Sequence, residues 1–203
     1  KDGVEWGLVI AHESHNHPSQ VVPYEGAATG IGGILRDVIC MGAEVVATAD
    51  PLRFGSHKKE SKSKKKTKYI AKSVVDGIAG YSNPVGIPNL AGDVYFNESF
   101  DENCLVNVAC LGIVRKDQII HSRAPKNSEG WDIVVVGKAT DNSGFGGAAF
   151  ASLVLDSEDE EFNKGAVPVS APFLKNLLIK ATAKVFELSR QMNLTLGFKY
   201  MGA

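Results

Sequence analysis

The chain has 203 residues, a formal net charge of −1 and 44% hydrophobic residues, which allows one large or two small domains with a buried core. Its near-neutral charge argues against nucleic acid or a membrane surface as a partner. No stretch approaches the ~18 consecutive apolar residues that a membrane helix needs. Three widely spaced cysteines, Cys40, Cys104 and Cys110, are typical of reduced core residues, so we expect a soluble cytoplasmic protein.

The first informative stretch begins with a short, partly β-branched apolar segment at residues 6–11, which predicts a buried strand. Further on, apolar residues recur at helical spacing and predict an amphipathic helix that ends near Gly42. These residues are Ile31, Ile34, Leu35, Val38 and Ile39. The turn expected before this helix is rich in glycine, with Gly26, Gly30, Gly32 and Gly33.

A glycine-rich turn at a helix N-terminus leaves backbone N–H groups free to approach an anion, which is the physical basis of many phosphate sites. The pattern at residues 30–33 matches neither the P-loop nor the dinucleotide fingerprint. Taken alone, the turn is therefore either an anion site or a plain tight turn.

Ionisable side chains on both sides of this turn favour phosphate chemistry. Glu13 and Asp37 provide oxygen ligands suited to Mg²⁺, and Arg36 has a planar donor fork that fits a phosphate. His15 can exchange a proton near neutral pH, because a free imidazole has a pKa of ~6.5. Zinc is the poorer interpretation, since His12, Glu13 and His15 do not form the H-E-x-x-H pattern. Arg36 and Asp37 could instead lie on a solvated helix face.

The rest of the first half alternates strand and helix patterns, with strands at 44–49 and 105–114, a short continuation of the latter at 117–121, and a helix at 69–80. This order predicts an α+β domain with helices packed on one face of a sheet. Asp50 and Arg53 follow the second strand, either as polar members of the same site or as turn caps.

A lysine-rich segment at residues 57–68 holds seven lysines and no apolar residue, which predicts a mobile loop. Capture of RNA or nucleotide phosphates is its functional alternative. The absence of interleaved aromatic residues and the neutral composition of the whole chain argue against nucleic acid.

The second half opens with a strand pattern at 131–137 and a glycine-rich turn at 140–152 that leads into a helix. An acidic run at 156–161, a core helix at 173–191 and a strand at 195–201 follow. Turn-forming residues at 124–130 mark a linker. We therefore expect two domains, 1–120 and 121–203, cut from a longer protein.

Several motifs, taken together, resemble one family. Residues 13–19 read Glu-Ser-His-Asn-His-Pro-Ser and residues 23–33 read Pro-Tyr-Glu-Gly-Ala-Ala-Thr-Gly-Ile-Gly-Gly, followed in order by Arg36-Asp37, Met41-Gly42-Ala43 and Leu52-Arg53-Phe54-Gly55. They resemble the synthetase component of phosphoribosylformylglycinamidine synthase, in the PurM-like superfamily. The segments at 86–96, with Asp93, and 140–152 are similar to two further segments of that family.

The resemblance implies a PurM-like fold, with a mixed sheet covered by helices on one face, followed by a second, truncated α/β domain. It implies a ligase of de novo purine biosynthesis that uses ATP and Mg²⁺ to phosphorylate the amide oxygen of formylglycinamide ribonucleotide. Ammonia from a glutaminase subunit then displaces the phosphate and forms the amidine. A small bridging subunit is a further expected partner.

The family's functional residues map onto this chain one by one. The resemblance makes His15 the general acid or base near the amide, and Glu13 and Asp37 the magnesium ligands. The expected substrate contacts are Ser14, His15, Asn16, His17 and Arg36.

Four positions depart from the family pattern. Ala11 stands where an ATP-contacting lysine is frequent, and Pro168 where a substrate-contacting glutamine is usual. Asp93 replaces a glutamate, and Tyr200 replaces an aspartate that binds magnesium. Two alternatives follow: a catalytically degraded homologue that keeps nucleotide binding or a subunit interface, and another ATP-dependent PurM-like enzyme such as aminoimidazole ribonucleotide synthetase.

A truncated domain pair would expose sheet surface that a missing domain normally covers. We therefore expect the fragment to self-associate.

Overall fold

The first half of the chain forms a four-stranded mixed sheet with the strand order β1-β4-β2-β3. The computed structural model describes residues 3–58, 63–139, 142–152 and 160–201. The strands are β1 (Trp6–Ser14), β2 (Glu44–Phe54), β3 (Asn89–Phe96) and β4 (Leu105–Arg115). β4 pairs antiparallel with β1 and β2, whereas β3 lies parallel to β2 at the edge of the sheet.

Helices cover one face of this sheet, which confirms the predicted fold class. A short helix α1 (Asn16–Val21) leads into α2 (Pro23–Cys40), and α3 (Lys64–Val85) connects β2 to β3. Three further helices follow the sheet: α4 (Gly147–Phe150), α5 (Glu160–Gly165) and α6 (Pro172–Gln191). None of the helices in the described ranges is both long and apolar enough to cross a membrane.

Side chains alternate between the two faces of the sheet, as the pleat requires. In β1, Val9 is 7% exposed beneath the helices, whereas Leu8 and Ile10 on the other face are each 63% exposed. In β4, Val108 and Cys110 are buried on the helix side. The opposite face of β1 is therefore an open apolar surface, which also includes the half-exposed Trp6.

Helix α2 is the centre of the main hydrophobic core, with six apolar side chains that are at most 1% exposed: Ala27, Ala28, Ile31, Ile34, Leu35 and Val38. The expected glycine-rich turn does not exist, because all four glycines lie inside this helix. Their backbone N–H groups belong to the helix, so the turn-type anion site is wrong.

The glycines instead permit close packing. A Cβ on Gly26 would lie 2.6 Å from the carbonyl oxygen of Pro18, and one on Gly32 would lie 2.5 Å from the Tyr81 hydroxyl. Backbone atoms of α1 and the Tyr81 side chain of α3 therefore occupy the space that a side chain at Gly26 or Gly32 would need.

The expected loop at residues 57–68 is wrong over its second part, because α3 begins at Lys64. Lysine is a good helix former, and the buried stripe that contains Ile70 and Val74 extends back to Thr67, which is 3% exposed. Residues 59–62 lie outside the described part of the chain.

The second half departs further from expectation. Neither 131–137 nor 195–201 forms a strand, since a strand needs a neighbouring backbone and no described strand pairs with either segment. Ile133 is 94% exposed. Residues 117–121 do not extend β4; a 3₁₀ turn, Lys116–Gln118, follows that strand.

Helix α6 has the predicted position, but its apolar stripe is not a core stripe. Leu177, Val185 and Leu188 are each more than 40% exposed, and the buried residues are Phe186 and Ser189. Most of the acidic run at 156–161, and residues 140–141 of the second glycine-rich segment, lie outside the described ranges.

The boundary near residue 120 stays a prediction. The main core draws on residues 9–114, and a small second cluster contains Phe150, Ala166 and Val167. Backbone and side-chain contacts join the two halves: the Thr29 hydroxyl donates to the Pro168 carbonyl at 3.2 Å, and the Ser170 N–H donates to Glu25 at 2.6 Å.

The close approach at Gly26 can be tested by Gly26→Ala. Although alanine favours helices, its methyl group would clash with backbone atoms of residues 18 and 19, so we expect a loss of about 1–3 kcal/mol in the free energy of unfolding. Urea denaturation measures this loss. Gly165→Ala is the matched control, because its Cβ would have no neighbour within 4 Å; equal stability of Gly26→Ala and the wild type would contradict the packing.

Candidate active site

The end of β1 and the helix α2 bring the predicted acid, base and metal ligands together. Glu13 lies on the helix side of the sheet, because residues 9, 11 and 13 of β1 alternate onto the same face and Val9 is buried there. A Cβ on Gly33 would lie 2.7 Å from the Glu13 carboxylate. The absence of a side chain at Gly33 therefore leaves room for this carboxylate between sheet and helix.

His15 follows β1 directly and is held at both backbone and ring. Its N–H donates to the Val106 carbonyl at 2.8 Å. Its ring Nδ1 is 2.7 Å from the Gly26 carbonyl, which can only accept, so Nδ1 carries the proton. A Cβ on Gly30 would lie 3.1 Å from the His15 Cβ, so this second glycine makes room for the imidazole.

The second ring nitrogen of His15 is the one that can exchange a proton. Nε2 lies 3.5 Å from Glu13 Oε1, and the imidazole and carboxylate are 17% and 33% exposed. The arrangement suits a proton acceptor whose orientation is fixed by its other nitrogen.

Asp37 completes a pair of carboxylates with Glu13. Burial raises the pKa of Asp37 above its ordinary value, and the charge of Glu13 raises it further, while Arg36 opposes both. The two carboxylates thus repel each other across a shared space. A cation between them would relieve this repulsion.

The Glu13 and Asp37 carboxylates fit Mg²⁺ because a cation between them would relieve their repulsion. In the described ranges, no group of three or more His, Cys, Asp or Glu side chains is arranged to hold a metal ion. Magnesium is commonly held by one or two carboxylates together with water and substrate phosphate, so Glu13 and Asp37 are the side chains that would hold such an ion. Bound there, the ion would neutralise phosphate charge.

Arg36 points to a different neighbourhood from its neighbour Asp37. Its Nη2 donates to the Tyr200 hydroxyl, and its guanidinium carbon lies 4.1 Å from the centre of the Tyr200 ring. Its Nε is buried without an acceptor. Tyr200 therefore binds Arg36 in this chain, at the position where the resemblance leads one to expect a magnesium-binding aspartate.

The other predicted substrate contacts have structural neighbours. Ser14 lies on the open face, where its hydroxyl donates to Asn107 at 2.5 Å. The Asn16 side-chain oxygen accepts from the Val106 N–H at 2.8 Å, and the His17 ring packs edge-on against Phe150. The structure thus gathers Glu13, His15 and Asp37, and directs Ser14 to the opposite face.

Asp50 and Arg53 are neither turn caps nor members of this cluster. Asp50 lies inside β2 and is 5% exposed; one oxygen accepts from Asn89, and the other has no partner. Burial raises its pKa to about 7. Arg53 forms a two-point ion pair with Asp93 at 2.7 and 3.1 Å.

Sequence reasoning missed Lys175 and Tyr81, which lie near Arg36. Burial and the charge of Arg36 lower the pKa of Lys175 to about 8. Tyr81 is 3% exposed, and burial raises its pKa to about 12. No local motif marks either residue, because α2, α3 and α6 bring them together from distant parts of the chain.

The chain is similar to known proteins along its whole length. Residues 3–114 match the family described as AIR synthase related protein, N-terminal domain. "Phosphoribosylformylglycinamidine synthase subunit PurL" from Methanothrix thermoacetophila is 56% identical over 200 residues, which cover 98% of this chain and 26% of that protein. The chain thus spans about a quarter of the length of the relatives that it matches.

Solved structures of Thermotoga maritima proteins share the fold. PurL complexed with FGAR superposes with a TM-score of 0.74 at 34% identity, over 92% of this chain and 29% of that chain. PurL complexed with ATP gives a TM-score of 0.67 at 30% identity, over 92% and 26%. PurLQS gives 0.66 at 28% identity, over 98% and 29%.

The buried Asp50 predicts a dependence of stability on pH. A carboxyl whose pKa rises on folding favours the folded state most at low pH, and this contribution is lost as the pH rises from about 4 to about 7. We expect the wild type to lose about 2–4 kcal/mol relative to Asp50→Asn over this range, measured by urea denaturation at several pH values. Asp76→Asn, at the exposed surface of α3, should keep the wild-type dependence of unfolding free energy on pH. If the difference in unfolding free energy between the wild type and Asp50→Asn does not change with pH, the Asp50 carboxyl is not buried as described.

Proposed function

The chain belongs to the AIR synthase related family, and from this premise we propose that it is the part of an ATP-dependent, amidine-forming ligase that carries the proton-exchanging and metal-binding side chains. The resemblance to phosphoribosylformylglycinamidine synthase found in the sequence is confirmed by the similarity to PurL over almost the whole chain. The reaction proposed for the complete protein converts formylglycinamide ribonucleotide to the amidine with ATP and glutamine-derived ammonia.

The observation that supports this most directly is the cluster of His15, Glu13 and Asp37 beside the glycines of α2. An imidazole whose Nδ1 is fixed by a backbone carbonyl keeps Nε2 available as a base. The two carboxylates are suited to Mg²⁺, which would neutralise charge on a transferring phosphoryl group.

The proposed chemistry has two steps. The amide oxygen of the substrate attacks the γ-phosphorus of ATP, so that ADP leaves and an imidoyl phosphate forms. Ammonia then attacks the activated carbon, the C–O bond breaks, and inorganic phosphate leaves. His15 Nε2 accepts the proton that the attacking nitrogen loses, and the Glu13 carboxylate stabilises the imidazolium that results.

Substrate binding is assigned to groups around this cluster. Arg36 contributes its donor fork, and the segment from Ser14 to His17 contributes contacts at the end of β1. Ser14 would have to be reached from the open face of the sheet, because its hydroxyl points there. His15 is therefore the member of this segment most directly placed for the substrate amide.

The partners proposed for the complete protein are a glutaminase subunit that delivers ammonia and a small bridging subunit. PurLQS from Thermotoga maritima has the same fold over 98% of this chain. Cys40, Cys104 and Cys110 are free thiols. This state fits a reducing compartment, and we place the protein in the cytoplasm.

A degraded homologue is the second candidate, and one observation favours it. The guanidinium of Arg36 donates a hydrogen bond to the Tyr200 hydroxyl and lies over the Tyr200 ring. A phenol is a poor replacement for a magnesium-binding carboxylate. Such a homologue would keep nucleotide binding or a subunit interface without amidine formation.

His15→Ala in the full-length protein tests the proposed base. With ammonium as nitrogen source, we expect kcat for amidine formation to fall about 10²–10⁴-fold, because a positioned proton acceptor is lost. His12→Ala is the matched control, since His12 lies three residues earlier on the exposed side of β1; it should change kcat by less than about twofold.

Unchanged amidine formation by His15→Ala would remove this residue from the chemistry.

Calorimetry with ATP and Mg²⁺ distinguishes the second candidate, the degraded homologue, from an active ligase. Magnesium-dependent ATP binding by a wild-type protein that forms no amidine would identify a degraded homologue.

We also propose that this chain self-associates through the open face of its sheet. The exposed apolar side chains of β1 continue onto β4, where Ile113 pairs with Leu8 and is 37% exposed. Contiguous apolar patches of this kind are typical of interaction surfaces.

Ile10→Lys tests the surface. A charge at the centre of an apolar interface is costly to bury, so we expect the sedimentation coefficient at micromolar concentration to fall to that of a monomer. Tyr69→Lys, at a 65% exposed position on α3, is the control and should leave association unchanged. A wild-type monomer would overturn this proposal.

A further inference from the structure

The first turns of α3 form a basic surface that the proposed function does not use. Seven of the 22 lysine and arginine residues of this chain lie within residues 57–68, although the whole chain has a formal net charge of −1. Because α3 begins at Lys64, the end of this segment is helical, and the helical repeat decides which side chains share a face. The positive charge is therefore concentrated on one short stretch of helix.

One face of α3 is exposed and carries lysines together with an aromatic ring. Thr67, Ile70 and Val74 are buried, so the opposite face of the helix is turned toward solvent. Four exposed residues on that face follow the spacing i, i+3, i+4 and i+7 and form what we call the basic stripe: Lys65, Lys68, Tyr69 and Lys72. The stripe spans about 10 Å along the helix axis. The fold thus interleaves lysines with an aromatic ring, a pattern that a loop would not produce.

The lysines of the basic stripe are poorly neutralised by acidic side chains. In the part of the chain that the structure describes, neither Lys65 nor Lys68 forms an ion pair. Lys72 pairs with Asp76, but these side chains are 78% and 50% exposed, and ion pairs in water contribute little. The first turn of α3 also has no acidic residue, where the helix dipole disfavours positive charge. A polyanion along the stripe would offset this repulsion.

A second aromatic group lies near the start of α3. The exposed His57 ring packs edge-on against Phe96 at the end of β3, with the ring centres 4.7 Å apart. A Cβ on Gly55 would lie 2.7 Å from the Thr67 hydroxyl, so this end of the sheet contacts the first turn of α3. The structure therefore supplies, from β3 and from the helix itself, the aromatic rings whose absence within the lysine-rich segment argues against nucleic acid in the sequence.

We propose that the basic stripe of α3 binds a single-stranded nucleic acid. The three lysines contact backbone phosphates, and the ring of Tyr69 stacks on an unpaired base, which is the combination typical of single-strand binding surfaces. The pair of His57 and Phe96 offers a second stacking surface beside the helix start. An acidic polypeptide would match the lysines but would leave these rings without a role.

This binding surface is separate from the proposed function. The basic stripe lies on α3, whereas the cluster of His15, Glu13 and Asp37 lies between β1 and α2. Because base stacking and phosphate contacts do not depend on base identity, we expect binding with little sequence preference.

The salt dependence of binding tests the lysines. Fluorescence anisotropy of a labelled oligouridylate of about 12 nucleotides gives Kd for the 203-residue chain at several salt concentrations. For single strands, log K falls with log salt by about 0.7 for each phosphate contact. Replacing Lys65, Lys68 and Lys72 together by glutamine should therefore reduce the slope by about two and weaken binding about tenfold or more at about 50 mM salt. Glutamine is a good helix former, so α3 should persist.

A second triple variant removes the same net charge elsewhere. Lys116, Lys126 and Lys199 are exposed and lie outside α3. Their joint replacement by glutamine should keep the wild-type slope and change Kd less than about twofold. Equal losses in both triple variants would indicate a general attraction between the chain and the probe, and would overturn the proposal.

Substitution of Tyr69 tests the stacking contact. Tyr69→Ala should weaken binding about fivefold or more, while Tyr69→Phe, which keeps the ring, should bind within about twofold of the wild type. Phe173→Ala, which removes a 76% exposed ring from α6, is the matched control and should leave Kd unchanged. Wild-type affinity in Tyr69→Ala would overturn the stacking role, and with it the assignment to nucleic acid.

Further probes distinguish the polymer. Oligothymidylate of the same length separates DNA from RNA: binding of either single strand supports the proposal, and binding of neither overturns it. Duplex RNA should bind more weakly, because its bases cannot stack on Tyr69; equal or tighter binding would overturn the proposal.

Two other polyanions serve as competitors. Polyglutamate that displaces the oligouridylate at equal charge concentration would assign the stripe to an acidic polypeptide. Vesicles of phosphatidylserine and phosphatidylcholine that displace it equally well would assign the stripe to a membrane surface. Either result would overturn the proposal. None of these measurements involves turnover, so failed amidine formation with intact nucleic-acid binding would overturn the proposed function alone.

Discussion

The close packing of α2 against the end of β1 is the constraint on which the rest of the molecule depends. Gly30 and Gly33 place a bare helix surface opposite His15 and Glu13. The same surface supplies the Gly26 carbonyl that fixes the imidazole. Because a glycine inside a helix costs roughly 0.5–1 kcal/mol relative to alanine, the helix gives up intrinsic stability for this proximity.

Helix α2 also separates two kinds of electrostatic environment. Near β1, two carboxylates face each other and favour a cation. Near α6, burial and the positive charge of Arg36 lower the pKa of Lys175. Because Asp37 and Arg36 are adjacent in sequence, they lie about 100° apart around the helix axis, so a negative and a positive side chain leave α2 in different directions.

The order of elements was predictable because it depends on local periodicity. Apolar spacing located the middle of β1, α2 and β4 and the position of α6, and the polar cluster after the first strand marked the segment in which the structure brings His15 close to Glu13. The glycines of α2 were misinterpreted, since sequence alone cannot tell a flexible turn from a helix surface against which another segment packs. The lysine-rich start of α3 was missed for a related reason: Thr67 is buried by tertiary contacts that composition does not show.

Long-range contacts account for the remaining differences. The strands expected at 131–137 and 195–201 have suitable β-forming residues, but pairing depends on a partner backbone and not on propensity. The approach of Lys175 and Tyr81 to Arg36 depends on how α6 and α3 pack on α2. No spacing in the sequence encodes such a meeting.

The pairing of β1 with β4 has a consequence for biosynthesis. β1 is made first, but its only partner strand in the described sheet is completed about 100 residues later. At typical ribosomal rates this delay is roughly 5–20 s. During that time the apolar first strand of this domain has no neighbour, and the backbone of His15 gains its Val106 acceptor only at the end. Emerging chains would thus present an unpaired, aggregation-prone segment to chaperones until the last strand of the sheet leaves the ribosome.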